Sequence, residues 1–463
     1  MAPFRMPYNN KPMVRHGVLP KVRKMMIDDT KTVKHPARLW NRDFLLLWQG
    51  QLISQVGQRA FNLAMIFFIK EATGSASLVG LMMMLSALPG VLLGPLGGTF
   101  ADKFSRKKII VYGDLINGLC VLSLAIIIFM LPNAPNLSLG WLFVVATAGA
   151  IIFAFFTPAV QAAIPDLVPE NKLDVANSLN QLALFISLFI GMGLGGLLYA
   201  ATGAALLFLI NGITYLCASG SEAFIRIPQP VMEKAKGSAF KTFISDTREG
   251  LQYVWSRKGM RVLFIVAALL YLFIAPMYML LPFYVEDYLK LDASWYGYLL
   301  MSLGIGSALG YMIAGTANVR GRDQSWMIVL SLLGASIAMG IMGFITQPYI
   351  VLGIIFVVGL LAGIFMVKAT TVLQLASSSD IRGRVFGLLA TLTSGLAPLG
   401  WGIAGVVADL ANKNIPVIYA SCGVLVLALS IMMACSKETR DFLTISVNPN
   451  LDKTPSARTK TID

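Results

Sequence analysis

Runs of apolar residues dominate the chain from Phe44 to Cys435, and polar residues are confined to short breaks between them. Twelve such runs are distinguishable: Phe44 to Ile69, Ser77 to Phe100, Ile109 to Leu131, Gly140 to Ile164, Val175 to Ala200, Ala205 to Ile225, Val262 to Val285, Tyr296 to Ala317, Trp326 to Thr346, Tyr349 to Leu375, Val385 to Leu410 and Val417 to Cys435. Each approaches the roughly 20 residues that an α-helix needs to cross a bilayer. The pattern predicts an all-α membrane protein of twelve transmembrane helices. Pro228 to Met260 is the longest internal polar stretch, and it divides the twelve into two sets of six. The predicted layout is therefore a tail at 1–42, a six-helix half at 43–226, a linker at 227–260, a second half at 261–435 and a tail at 436–463.

Composition agrees with this reading: 56% of the 463 residues are hydrophobic and only 13% are charged, about half the charge of an ordinary soluble domain. A net charge of +14 would suit a nucleic-acid binder, but its distribution points elsewhere. With both termini placed in the cytoplasm, 32 of the 37 Lys and Arg fall in cytoplasmic segments, which is the bias that orients membrane proteins. No apolar core of a signal peptide precedes Asp43, so the first 42 residues read as a basic cytoplasmic tail. The expected location is the cytoplasmic membrane, multi-pass, with both ends inside.

Glycines recur with a three-helix period. Runs 2, 5, 8 and 11 carry Gly90, Gly94, Gly97 and Gly98; Gly191, Gly193, Gly195 and Gly196; Gly304, Gly306, Gly310 and Gly315; and Gly395, Gly400, Gly402 and Gly405. Gly90/Gly94/Gly98, Gly191/Gly195 and Gly306/Gly310 have the GxxxG spacing that brings helices close. Selection of the same place in each triplet is expected of 3+3 inverted repeats whose halves rock against one another.

Between runs 2 and 3 the residues Gly98, Asp102-Lys103 and Ser105-Arg106-Lys107 closely resemble the G-x-x-x-D-[RK]-x-[GS]-R-[RK] loop of the major facilitator superfamily. In the second half the equivalent loop reads Asn318-Val-Arg320-Gly321-Arg322, with Asn in place of Asp. Ile164-Pro165-Asp166-Leu167-Val168-Pro169-Glu170, Asp246-Thr-Arg248-Glu249-Gly250 and Arg382-Gly383-Arg384 resemble the drug:proton antiporter branch that holds macrolide-type, siderophore and lysophospholipid exporters. The resemblance implies alternating access, with Asp102 near the start of run 11. A carboxylate there would cap that helix's positive end and latch the cytoplasmic side. Arg106 and Lys107 are expected to pair with Asp114 or with lipid phosphate, and Gly98, Asp102, Arg106, Lys107, Asp114 and Arg384 form the candidate gate.

Run 1 carries Gln51, Gln55, Gln58, Arg59 and Asn62 at spacings that put them on one helix face. Such a stripe must face protein or water, and Arg59 near mid-span costs about 2.5–3.5 kcal/mol if left in lipid. The stripe is expected to line a substrate cavity with Asn180 and Gln181 of run 5, Tyr271 and Tyr278 of run 7 and Lys368 of run 10. Two cations without a central carboxylate favour an anionic or zwitterionic amphiphile, drug-like or siderophore-like. A lysophospholipid flippase on the same fold and a uniporter without proton coupling are the alternatives. The antiporter branch often has Gly-Asp in the first helix, whereas here Gly57-Gln58 stands and cannot titrate. That leaves Asp114 and Glu222 as candidates for proton coupling. The sequence has no G-x-x-x-x-G-K-[ST] and no H-E-x-x-H, so neither an ATP-driven pump nor an enzyme is expected. Both histidines lie in the basic tail and the four cysteines are scattered, so neither a metal nor a cofactor is expected, and a monomer suffices.

Overall fold

The computed structural model describes residues 38–228, 239–317 and 319–445. Most of the two basic tails and Asn318 lie outside them. The described chain is helical throughout: α1 (Arg42–Thr73), α2 (Ala76–Lys103), α3 (Arg106–Met130), α4 (Pro135–Leu167), α5 (Leu173–Glu222), α6 (Ala239–Ser256), α7 (Lys258–Phe283), α8 (Ser294–Thr316), α9 (Gly321–Met342), α10 (Pro348–Ala376), α11 (Ser379–Leu410), α12 (Ile415–Cys435) and α13 (Lys437–Leu443). Eleven membrane-length apolar helices are present among the described residues. The predicted run Val175 to Ala200 lies in the first arm of α5, a 50-residue helix broken at Gly203. That glycine sits at φ 75°, a left-handed conformation that side chains with a Cβ rarely adopt.

Local chemistry sets the helix ends. Asn41, Ser75 and Ser105 each accept a hydrogen bond from a first-turn amide of α1, α2 and α3, satisfying donors that a helix leaves orphaned. Pro135 and Pro348 occupy first-turn positions where no amide hydrogen is needed. Outward stripes stay apolar, as with Tyr112, Ile116, Leu119 and Ile126 on α3, all exposed in the isolated chain. Against water such a surface would be costly, and against lipid tails it is the surface required.

In packing, α1 lies along α5, α3 along α4 and α5, and α2 along α4; a second group joins α8 to α10, α9 to α10 and α12, and α7 to α11 and α12. The groups meet chiefly through α2 against α11 and α5 against α8. Those seams are tight only at the end holding the α1–α2 turn. A Cβ on Gly80 would strike the Trp401 carbonyl, one on Gly405 the Ala76 carbonyl, and Gly196 lies against Gly297. At the other end nothing comes within 4 Å of such an atom on Gly90, Gly94, Gly98, Gly383 or Gly387.

Two of the three GxxxG sets make the expected close helix contacts, and the Gly90/Gly94/Gly98 set does not. Gly191 and Gly195 seat α5 on Arg59 and Ala60 of α1, and Gly306 and Gly310 seat α8 on Phe356 and Leu360 of α10. These are contacts inside each group, where backbones must nearly touch, whereas the Gly90/Gly94/Gly98 ridge faces open space.

Ion pairs reinforce the closed end. Lys70 of α1, 7% exposed, lies 2.5 Å from Glu286 and 2.9 Å from Asp287, just after α7. Asp409 of α11 accepts from Ser75 Oγ at 2.9 Å, Ala76 N at 3.0 Å and Ser77 N at 2.8 Å. A carboxylate thus caps α2 across the seam, at the end opposite to the Asp102 loop.

Candidate functional site

Two cavities adjoin in the middle of the bundle. One, about 510 Å³, lies between the helix groups and is lined mainly by apolar and aromatic side chains, including Met83, Tyr278, Tyr296, Met301, Tyr311 and Trp401. The other, about 300 Å³, lies within the first group and has more polar side chains in its lining, among them Gln51, Gln55, Gln58, Asn117 and Gln161. Arg59, Asn62 and Ser86 line both, so α1 and α2 form the partition.

All five polar residues of the α1 stripe line the polar cavity, because steps of three and four keep them on one face. They also bond to one another. Gln55 Nε2 donates to Gln51 Oε1 at 3.5 Å, and Gln51 Nε2 donates to Glu222 Oε1 at 3.0 Å. Farther along, Tyr215 OH donates to Gln58 Oε1 at 2.7 Å, and Gln58 Nε2 donates to Asn62 Oδ1 at 2.8 Å. Arg59 is different: its stem packs on Gly191, the residue lines both cavities, and no ion pair or hydrogen bond holds it among the described residues.

Asp114 and Glu222, 108 positions apart, are brought together. Both residues are buried, with Asp114 1% exposed and Glu222 0%, and their carboxyl groups adjoin one another. Asp114 Oδ2 and Glu222 Oε2 each lack a donor, and a proton on either group would complete the bond between them. Gly50 makes the room, since a Cβ there would stand 3.0 Å from Glu222 Oε1.

Several sequence expectations need correction. Arg106 and Lys107 do not pair with Asp114: Arg106 turns toward the end of α4, 2.5 Å from Asp166 Oδ2 and 2.9 Å from the Ala162 carbonyl, with Asp102 at 3.6 Å. No hydrogen bond joins Asp102 to α11 among the described residues. Arg384 instead binds Asp246 at 2.9 Å and Glu249 at 2.7 Å on α6. Lys368 lines neither cavity; its ammonium donates to the Ala317 carbonyl at 3.0 Å, at the C-terminus of α8, where a cation is favourable. Gln181 also falls outside both cavities, being about 100° around the helix from Asn180, which lines the polar one. Tyr271 does so as well, standing about 10 Å farther along α7 than Tyr278.

Asn117, Thr157, Gln161, Tyr215 and Ser86 line the polar cavity and were not anticipated. Asn117 follows Asp114 by one helical turn, and Gln161 interrupts an apolar run. Both are signals of the kind that singled out α1.

A family model described as transmembrane secretion effector matches residues 35–454. Macrolide efflux protein A of Streptococcus pyogenes is 26% identical over 377 residues, covering 81% of this chain and 91% of that protein. Multidrug efflux pump Tap of Mycolicibacterium fortuitum is 25% identical over 395 residues, covering 83% and 94%. Among solved structures, a bacterial homologue of the human lysosomal transporter Spinster, inward-facing and unoccupied, superposes with a TM-score of 0.63 at 14% identity over 87% of this chain and 96% of that one. A bacterial homologue of the iron transporter ferroportin, inward-facing, gives 0.64 at 15% identity over 85% and 99%. At such identities the likeness is one of fold.

Proposed function

Because the chain belongs to the transmembrane secretion effector family of the major facilitator superfamily, we propose that it exports an amphiphilic, drug-like or siderophore-like molecule across the cytoplasmic membrane by alternating access. Twelve crossings as two 3+3 halves, with both termini inside, complete the reading. The closed end is then the outer one and the glycine-lined gap opens to the cytoplasm, as in the inward-facing Spinster and ferroportin homologues. Asp102, Arg106, Lys107 and Arg384 would regroup when that gap closes.

One observation carries the substrate class: the uncompensated guanidinium of Arg59 where the two cavities meet. In a low-dielectric site it favours an anionic or zwitterionic group and penalises a bare cation. The larger cavity supplies the apolar walls, and 510 Å³ falls within the range of small-molecule sites, about 300–1,000 Å³. The relatives named for macrolide and multidrug efflux support export as the direction. Antiport would run through Asp114 and Glu222, whose mutual contact requires a proton to be satisfied and which sit beside the Gln51–Gln55 chain.

The test is ligand-induced thermal stabilisation of the purified protein by anionic amphiphiles, lysophospholipids and cationic drugs, on wild type and Arg59→Ala. Stabilisation by anionic ligands alone, lost in Arg59→Ala, is the expected result. Equal stabilisation of both proteins by cationic drugs would refute the assignment, and selective stabilisation by lysophospholipids would transfer it to a flippase.

A further inference from the structure

The helix α6 is not among the membrane-length apolar helices, yet it leads straight into one, since Arg257 alone separates it from α7. One side of it is fixed to the bundle. Asp246 and Glu249 both bind Arg384 of α11, and a Cβ on Gly250 would stand 2.9 Å from the Arg384 carbonyl. Tyr253 OH donates to the Ala376 carbonyl at 3.2 Å, and Val254 is fully buried. These contacts fix the rotation of α6 about its own axis, and with it the residues that face away.

Those residues are of two kinds. At about 100° per residue, Ile244, Leu251 and Trp255 fall within an arc of about 40°, and they are 51%, 42% and 51% exposed. Ser245, Gln252 and Ser256, all exposed, fall within a second arc of about the same width, about 100° further round. Arg248, exposed as well, stands between the two arcs. A helix lying on a bundle in water needs only a packed face and a polar one. This helix has a third, an apolar stripe about 16 Å long.

Position and charge identify what covers the stripe. The span of α7 begins at Lys258, so the end of α6 that carries Trp255 stands where the chain enters lipid, and an exposed indole is a side chain of the membrane interface. The two acidic side chains of α6 are taken up by Arg384, whereas Arg248, Arg257 and Lys258 are exposed. A cationic rim beside an apolar stripe repels the basic N-terminal tail and attracts the phosphates of anionic lipid. Arg248, at the border of the stripe, can lay its stem on apolar surface and keep its guanidinium among headgroups.

We propose that α6 lies in the headgroup layer of the membrane, with Ile244, Leu251 and Trp255 turned to the acyl chains and Arg248 and Lys258 set on the phosphates of anionic lipid. Through Arg384 the docked helix holds the start of α11 at the membrane surface. The proposal rests on the export reading only for the leaflet, which that reading makes the cytoplasmic one.

The test is quenching of a nitrobenzoxadiazole probe on the full chain in lipid nanodiscs, attached to Leu251→Cys or to Gln252→Cys after the native cysteines are replaced. Leu251, Gln252 and Arg248 are all exposed, so the variants leave the packing of α6 intact. The nanodiscs are phosphatidylcholine with or without about one third phosphatidylglycerol; a nitroxide high on the acyl chain is the membrane quencher and iodide the aqueous one. With anionic lipid present, the probe at 251 should be quenched by nitroxide and spared by iodide, and the probe at 252 should show the reverse. Arg248→Gln should lower the ratio of docked to undocked probe at 251 about fivefold. Iodide quenching at both positions would overturn the proposal. So would protection of position 251 from both quenchers, which would give the stripe to a protein partner. A pattern that is the same in pure phosphatidylcholine and indifferent to Arg248→Gln would overturn the anionic partner. Labelling of Gln252→Cys by a membrane-impermeant maleimide in intact cells would overturn the cytoplasmic placement and leave the docking result standing.

Discussion

Asp409 is the most exposed to test of the contacts that hold the closed end. Its carboxylate accepts three hydrogen bonds from Ser75, Ala76 and Ser77, and every one crosses from α11 to α2. A hydrogen bond to a charged group is worth about 1.5–3 kcal/mol, but Asp409→Ala would not forfeit three times that. The first-turn amides of α2 are part-buried and regain water, so the net loss is that of removing a helix cap, about 0.5–2 kcal/mol. It falls only on the state in which α2 and α11 touch at this end. The ratio of closed to open forms should therefore drop about 2- to 30-fold. Spin labels at Ala72 and Asp292, both exposed near this end, would report it by pulsed electron spin resonance, with the native cysteines replaced. Asp409→Ala should raise the long-distance population, and Asp409→Asn, which keeps an acceptor without the charge, should do so less. An unchanged distance distribution in both variants would refute the idea that this cap selects the state.

Other consequences follow from the same geometry. Gly310→Ala drives a Cβ into the Leu360 carbonyl and should cost about 1–3 kcal/mol, whereas Gly90→Ala meets open space and should gain up to about 1 kcal/mol of helix propensity; melting temperatures of the two variants should move in opposite directions. Lys368→Met removes a cation that lines neither cavity, so the affinity for anionic amphiphiles should match wild type, in contrast to Arg59→Ala. Asp114→Asn and Glu222→Gln each replace one carboxyl of the buried pair with an amide that supplies the missing donor, so both proteins should fold with unchanged or higher melting temperature. In proteoliposomes with an imposed pH gradient each should lose proton-driven transport, and retention of that drive would remove the pair from coupling.

Much of this protein is written in one dimension. A helix that crosses lipid must satisfy its backbone internally and keep an apolar surface, so the apolar runs, their polar breaks and the charge bias are legible in the sequence alone. The α1 stripe was legible for the same reason: residues three and four apart share a helix face whatever lies opposite. The Asp102 to Lys107 loop was recognisable because its residues are contiguous.

What lies opposite is decided by packing alone. Asp114 and Glu222 were singled out separately, and only the seating of α3 against α5 makes them a pair. Arg106 had Asp114 within sequence reach, yet a tertiary neighbour, Asp166 at the end of α4, holds it instead. Lys368 looked like a cavity cation until the C-terminus of α8 was placed beside its ammonium. The glycine spacing announced close helix contacts without naming the partners, because a missing Cβ permits approach from any neighbour; the fold assigned those contacts to the interior of each group and left the seam between groups tight at one end and open at the other. The division of the site into an apolar and a polar chamber is likewise a product of where α1 and α2 stand, since a cavity is the space between helices and no single helix encodes it.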